Sequence, residues 1–445
     1  MSEPINLIAS LGLGPSGAPI ETWVMPLCSS LSSCSIQSSG VPTMVNWNDV
    51  RENFPVTQKC VYLDSACFSV TFSAAVKEIE QFVERMLYFE EHSWADKKKD
   101  ETREEAAKLM RASRNEVGLG EGATYGLNVF ARAISDQLQA GDNVVTADME
   151  FLQSTLPWLA ISKKKGIQIK VAKNTDGAYR TSDFVRLIDE RTKVISLSSV
   201  QWNNGFKLDL EELGEIAEKK DIYFVIDAAH HLGASVLDVH KAKIDFMSSS
   251  GHKWLVSPFG TGLFYMSAEM LDSLEPDLIG YMNVRPPRNL SRMGEYFEIP
   301  DANPVEEFEY VRHEARKFET GGTSNYPGAI GLAASLRLFN EIGMENIAGR
   351  ILDLGDYVIE ELQKIDARIV SPLDRAHRAG ITTFRMYKNP EEDKKLQLWL
   401  KNKGIYVSVR YTSNIGGLRV STHLYNNEQD IDKLVEATET YVKTH

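Results

Sequence analysis

Residues 223–254 read YFVIDAAHHLGASVLDVHKAKIDFMSSSGHKW. The first four, Tyr223-Phe224-Val225-Ile226, are apolar, suit a short buried strand, and end on Asp227. Ile244-Asp245-Phe246-Met247 is a second strand-like stretch, followed by Ser248-Ser249-Ser250-Gly251-His252-Lys253-Trp254. In open α/β sheets, ligands sit at the carboxyl ends of the strands. A carboxylate at the end of a buried strand is expensive unless it meets a positive partner. Small residues let a backbone approach a ligand, and hydroxyls and an imidazole can hold a phosphate. A lysine shielded from water can lose its proton and form a Schiff base with an aldehyde. Plainer roles suit the same residues: Asp227 as the N-cap of a helix beginning at Ala228, and Lys253 as a surface lysine in a serine-rich loop.

Outward from this stretch the chain alternates strand and helix. Val144-Val145-Thr146, Ile167-Gln168-Ile169, Val194-Ile195-Ser196-Leu197 and Leu263-Phe264-Tyr265 read as short strands, and Leu210 to Lys219 as a helix. Such alternation predicts an α/β fold: a mainly parallel sheet covered by helices on both faces. Upstream, Lys59 to Asp64 reads as a strand that ends in the small-residue turn Ser65-Ala66-Cys67. Ala75, Val76, Ile79, Phe82, Val83, Met86 and Leu87 recur at helical spacing, and the highly charged run Asp96 to Met110 reads as an exposed helix. Downstream, residues 272–316 are rich in Pro, Asn and charge without a steady period, the pattern of a functional loop region. A helix resumes over Gly328 to Glu341; strands are expected at 382–384, 405–407 and 418–420, and a last helix at 428–441. The expected organisation is a Ser-rich arm at 1–45, a large domain at 46–325 containing the 272–316 loops, and a smaller α/β domain at 326–445.

Composition excludes several classes. The net charge of −13 argues against a nucleic-acid surface, and Lys163-Lys164-Lys165 reads as a solvated helix end. No apolar run is long enough to span a membrane. No Lys or Arg precedes Arg51, so the basic region of a leader is missing and a cytoplasmic location is expected. The four cysteines, Cys28, Cys34, Cys60 and Cys67, show no zinc-site spacing, and no metal is expected.

The residues around Lys253 point to pyridoxal phosphate (PLP). Asp227 would pair with a protonated pyridine nitrogen and keep the ring an electron sink. Gly120-Glu121-Gly122-Ala123-Thr124-Tyr125-Gly126 opens a helix over Leu127 to Ile134, and a helix N-terminus with free amides and a hydroxyl is an anion site. The run lacks the lysine and spacing of nucleotide-binding loops. Phe151, after the strand at Val144, can stack on a pyridine face or serve as a core residue. His230 can reach the cofactor's phenolate oxygen or be a structural histidine.

Taken together, the chain resembles the class V aminotransferase family of PLP fold type I, which includes cysteine desulfurases and isopenicillin N epimerase-like proteins. Tyr62-Leu63-Asp64-Ser65-Ala66, Gly122 to Asn128, Asp227-Ala228-Ala229-His230, Ser250-Gly251-His252-Lys253 and Phe318-Glu319-Thr320-Gly321-Gly322-Thr323 carry the resemblance, which spans about residues 47–442. The resemblance implies a large domain with a seven-stranded-type sheet and a smaller C-terminal domain. It makes Lys253 the Schiff-base lysine and proton shuttle, and Asp227 the partner of the pyridinium. Ala123, Thr124, Ser250 and His252 would hold the phosphate. Thr323 would reach the phosphate of a neighbouring subunit, because the family builds its site across a homodimer. Phe151 stands where many relatives stack a histidine, and His230 where glutamine is common. Arg419 would clamp the substrate carboxylate, and Ser65, Ala66 and Cys67 would face the substrate.

One departure matters. The desulfurases carry a mobile persulfide-forming cysteine before that arginine, whereas Val407 to Arg419 is short and has none. Cys67 is the nearest thiol in sequence terms and reads mostly as a packing residue. Transamination or β-elimination of the carbon–sulfur lyase type on an α-amino acid is therefore expected. Epimerisation, or desulfuration and selenocysteine cleavage, are the alternatives. Epimerisation needs a second acid or base, for which Tyr281 and His313 are candidates. A catalytically inactive scaffold is a more remote reading.

Overall fold

The computed structural model describes residues 45–445 apart from 89–92, 304 and 312, so the expected arm lies outside the described residues up to Met44. The chain enters through a short strand, β1 (Val61–Tyr62). Next come β2 (Val117–Gly120), β3 (Asn143–Ala147), β4 (Gln168–Ala172), β5 (Thr192–Ser198), β6 (Tyr223–Asp227), β7 (Phe246–Ser250) and β8 (Gly262–Met266). These seven make one sheet in the order β2-β8-β7-β6-β5-β3-β4. Neighbouring strands from β7 to β4 pair in parallel, and β8 runs antiparallel to both β7 and β2. This is the mainly parallel α/β sheet expected. Apart from β4 at the edge its strands are almost wholly buried, with Lys193 in β5 the one exposed position, which is why they read as continuous apolar runs rather than alternating ones.

A second sheet holds β9 (Arg368–Ile369), β10 (Ile381–Arg385), β12 (Ser408–Thr412) and β13 (Ile415–Ser421), antiparallel in the order β12-β13-β10-β9. The short β11 (Ile405–Tyr406) pairs in parallel with β1. Val61 and Leu63 thus share an apolar cluster with Leu396, Leu418 and Leu434 from the C-terminal third of the chain. Strands β12 and β13 join through Ser413 and Asn414, both in the left-handed region at φ 47° and 64°, the geometry of a tight two-residue hairpin turn.

Three expectations change. The serines 248–250 are not a loop: they form the carboxyl half of β7, in the interior of the sheet. The charged helix, Ser93–Met110, is not simply exposed: Thr102, Arg103, Ala106 and Met110 are buried. Its buried cations have partners: Arg103 pairs with Glu319 at 2.7 Å, and Lys99 Nζ lies 4.9 Å from the Tyr326 ring centre, while the half-buried Lys98 pairs with Glu78 and Glu101 at 2.9 and 3.0 Å. The helix packs against Tyr326–Ile342, with Thr102 Oγ1 donating to the Ala329 carbonyl at 3.0 Å. The helix expected over Leu127 to Ile134 begins earlier, at Ala123. No helix among the described residues is long and apolar enough to cross a membrane.

Candidate active site

A cavity of about 600 Å³ opens at the carboxyl ends of β3, β6 and β7, where strand-end ligand sites lie. Ala66, Cys67, Ala123, Thr124, Phe151, His230, Ser250, His252, Lys253 and Arg419 all line it. Asp227 lies at the end of β6, buried at 5% exposure. Its Oδ1 accepts the Ala229 N–H at 2.9 Å, so the capping role read from sequence is realised for one oxygen, in a turn rather than a helix. Its Oδ2 accepts from Gln153 Nε2 and Ser154 Oγ, each at 2.9 Å.

The anion end of the cavity is the helix Ala123–Ala133, which has no side-chain cap at its N-terminus. The helix dipole there favours a bound phosphate. Gly122 precedes the helix at φ 150°, and a Cβ would sit 3.2 Å from Ser250 Oγ, so glycine lets the loop close onto β7. Ser250 Oγ accepts the Ala123 N–H at 3.0 Å. Thr124 Oγ1 donates to Gln153 Oε1 at 2.7 Å, so Gln153 links the phosphate loop to Asp227. His252 stacks on Phe259 at 4.9 Å, and its Nδ1 is buried without a partner, a polar atom that a phosphate would satisfy.

Lys253 Nζ lies 3.3 Å from His230 Nε2 and 5.6 Å from the Phe151 ring centre. Burial pulls the amine down to about 8, opposed by Asp227 and reinforced by Arg419. Burial, then the charge of Lys253, holds His230 well below the ordinary histidine range. Glu150 is wholly buried beneath, accepting from the Ser198 N–H at 2.8 Å and from Gln201 at 3.2 Å, and burial raises it to about 7.

On the far wall, Arg419 is 1% exposed. Its Nη1 donates to the Trp202 carbonyl at 2.7 Å and its Nη2 meets Asp64 Oδ1 at 3.4 Å, leaving Nε unpartnered. Arg410 lines the same wall, with Nη2 3.3 Å from Cys67 Sγ.

Three expected residues do not line the cavity, and of these Asp227 reaches it only through its hydrogen bond to the lining residue Gln153. Ser65 is buried, but its hydroxyl is engaged with Tyr425 at 2.6 Å and does not line the cavity. Thr323 is exposed in its loop, away from the cavity of its own chain. Tyr281 and His313, the candidates for a second acid or base, also lie off it; His313 pairs with Asp272. Sequence reasoning missed Gln153, Ser154 and Arg410. Gln153 and Ser154 follow the carboxyl end of β3, the same signal that pointed to Asp227 and Lys253. For Arg410 the period-two alternation after Val407 places it on one face with Ser408.

The buried lysine, the helix N-terminus, the orphaned imidazole nitrogen and the strand-end carboxylate fit pyridoxal phosphate in charge and in donor type. Comparison with known proteins gives the same answer. The sequence profile of the class V aminotransferases matches residues 61–434. A probable cysteine desulfurase of Pyrococcus abyssi is 27% identical over 415 residues, covering 89% of this chain and 98% of that protein. The apo structure of a cysteine desulfurase from Thermococcus onnurineus superposes with a TM-score of 0.79 at 26% identity, covering 91% of this chain and all of that one (100%). C-DES, solved with glycine covalently linked to its PLP cofactor, shares the fold with a TM-score of 0.78 at 18% identity, covering 87% of this chain and 98% of that one. The chain belongs to the class V aminotransferase family, and its cofactor is pyridoxal phosphate.

Proposed function

We propose that the protein acts at the α-carbon of an amino acid, by transamination or β-elimination, with Lys253 as Schiff-base lysine and proton carrier. The observation that carries this reading is the cavity itself: a buried amine, a helix N-terminus and a buried guanidinium all line it, and the β12–β13 wall closes in a two-residue turn without a thiol. When bound, the cofactor supplies an aldehyde and a protonated ring that draws electrons from the α-carbon. Asp227, held by Gln153 and Ser154, would keep that ring charged. The Ala123 helix end, Ser250 and His252 suit the phosphate, and Phe151 offers an apolar face for stacking. Arg419, buried and fixed by Trp202, suits the substrate carboxylate as a preorganised donor. Lys253, held below its ordinary range, is a base that can take and return the α-proton near neutral pH. Thr323, exposed and off its own cavity, suits a role in a second subunit of a homodimer. An amino-acid panel with product analysis tests this. A keto acid with aminated cofactor means transamination, and pyruvate with released sulfide means elimination. Racemised substrate alone would overturn both.

A second reading has one observation in its favour. Cys67 Sγ lines the cavity and takes a hydrogen bond from the Arg410 guanidinium at 3.3 Å, so a thiol stands within the site. In that reading cysteine gives alanine, and its sulfur passes to Cys67 as a persulfide. Cys67→Ser separates the two: it abolishes alanine formation from cysteine if Cys67 accepts the sulfur, and leaves keto-acid or pyruvate formation in place if it does not.

A further inference from the structure

Trp254 follows the lysine directly and is completely buried. Its ring lies so close over Gly380 that a Cβ there would come within 2.1 Å of it. It is held from the other side by His423, which takes the Leu424 N–H on Nδ1 at 2.7 Å and meets the Trp254 carbonyl with Nε2 at 3.0 Å. The indole N–H has one partner, His230 Nδ1, at 3.2 Å. An indole N–H can only donate, so Nδ1 of His230 must be the accepting nitrogen. A neutral imidazole carries one proton, which is then on Nε2. That nitrogen faces Lys253 Nζ at 3.3 Å. An ammonium has donors and no lone pair, whereas an amine can accept.

We infer that Trp254 is a positioning residue: it locks His230 in the Nε2–H tautomer, which makes the imidazole a fixed donor and holds Lys253 as a free amine. The inference rests on the reading of Lys253 as the reactive amine. The charged and titratable groups facing Lys253 are Asp227 and Cys67, which favour its charged form, and Arg419 and Arg410, which oppose it. His252 lies beside His230 and is itself pulled down to about 4 by burial, so it brings no positive charge near neutral pH. None of these groups selects between the two tautomers of His230; the indole does. The expected contact of His230 with the cofactor's phenolate oxygen needs the same tautomer, since only an N–H can donate to that oxygen. The signal was already in the sequence, in Trp254 directly after Lys253 and His230 at the end of β6, but nothing in the spacing says that the indole turns back to the imidazole.

The test begins with the unmodified full-length chain, labelled with ¹⁵N-histidine and measured with and without cofactor. The resonance of His230 is assigned by its loss in His230→Phe. A protonated Nε2 and a bare Nδ1 across neutral pH are expected; the reverse tautomer, or a mixture, overturns the inference. Trp254→Phe then removes the donor. The pH midpoint at which the apoprotein captures pyridoxal phosphate, read from the rise of the visible band, should move up by about one unit, the worth of one buried hydrogen bond. The same change made on top of His230→Phe should move nothing further, because the coupling runs through the imidazole. An equal shift in both backgrounds would mean that Trp254 acts by packing alone. If Trp254→Phe does not fold, the tautomer in the unmodified chain decides. The two readings fail separately. If the unmodified chain captures no cofactor, the role of Lys253 fails whatever the tautomer. If capture is normal with a bare Nε2, the inference about Trp254 fails and the role of Lys253 stands.

Discussion

At Lys253 the ammonium loses hydration and gains too little from Asp227 to recover it, so the amine is pulled down to about 8. Asp227 is the complementary case, a carboxylate kept in place by three donors: Gln153, Ser154 and the Ala229 amide. Replacing it with Asn removes the charge and turns an amide N–H toward one of those donors. Asp227→Asn should keep the cofactor's visible band but lose at least about 100-fold in turnover, on the scale of one lost electrostatic partner at a reacting centre. Steady-state rates beside the absorption spectrum check this; unchanged turnover would remove Asp227 from the chemistry. Lys253 and Asp227 were legible because Asp227 ends an apolar strand and Lys253 follows the carboxyl end of its neighbour, so local sequence alone sets them near the ligand edge. Gln153 and Arg410 were not, because their roles depend on which distant carboxylate or thiol the fold brings within reach. Ser65 fails for the same reason in reverse: its motif is right, but the fold gives its hydroxyl to Tyr425.

The helix Ala123–Ala133 and β7 form the element pair that carries the proposed phosphate end of the site. A Cβ at Gly126 would come within 2.4 Å of Ser248 Oγ and 2.8 Å of its Cβ, so the glycine lets the helix lie directly on the strand. Gly126→Ala should lift the helix, cost about 1–3 kcal/mol of stability by overpacking, and weaken cofactor binding by about tenfold. Denaturant unfolding and cofactor titration measure both; full affinity with normal stability would contradict the docking. This close approach also explains why Ser248-Ser249-Ser250 was misread as a loop. Serine is a poor strand former on its own, but between β6 and β8, under a glycine-faced helix, only small side chains fit. The charged helix Ser93–Met110 was misread as exposed because the carboxylates that pair with Lys98 and Arg103 include Glu78 and Glu319, far away in sequence. By contrast Leu210–Lys219 was read to the residue: a one-sided helix capped by Asp209 needs no distant partner to announce it.

For the whole molecule, buried histidines set the response to acid. His231 and His423 are wholly buried and pulled down to about 4 by burial. In the unfolded chain they bind protons from about pH 6.5 downward. Folded pKa values below unfolded ones mean stability that is present above pH 6.5 and lost as pH falls toward 4, on the order of 2 kcal/mol for each. Glu150, raised to about 7, works the other way: its folded form takes up a proton first, so it adds stability as pH falls from 7. Asp245, raised to about 6 by burial, sides with Glu150, while His230 and His252, also held down by burial, side with the other two imidazoles, so net stability should fall between pH 6.5 and 4; a flat profile in denaturant unfolding would contradict the burial of these rings. The sheet order and the second sheet bring strand ends far apart in sequence to one cavity, and everything there converges on one amine. The most direct measurement is the visible absorption of the purified chain given pyridoxal phosphate, beside Lys253→Ala. A visible band in the unmodified protein, stable to gel filtration and absent in Lys253→Ala while its circular dichroism is unchanged, is the expected result. The same band in both proteins would contradict the assignment of Lys253.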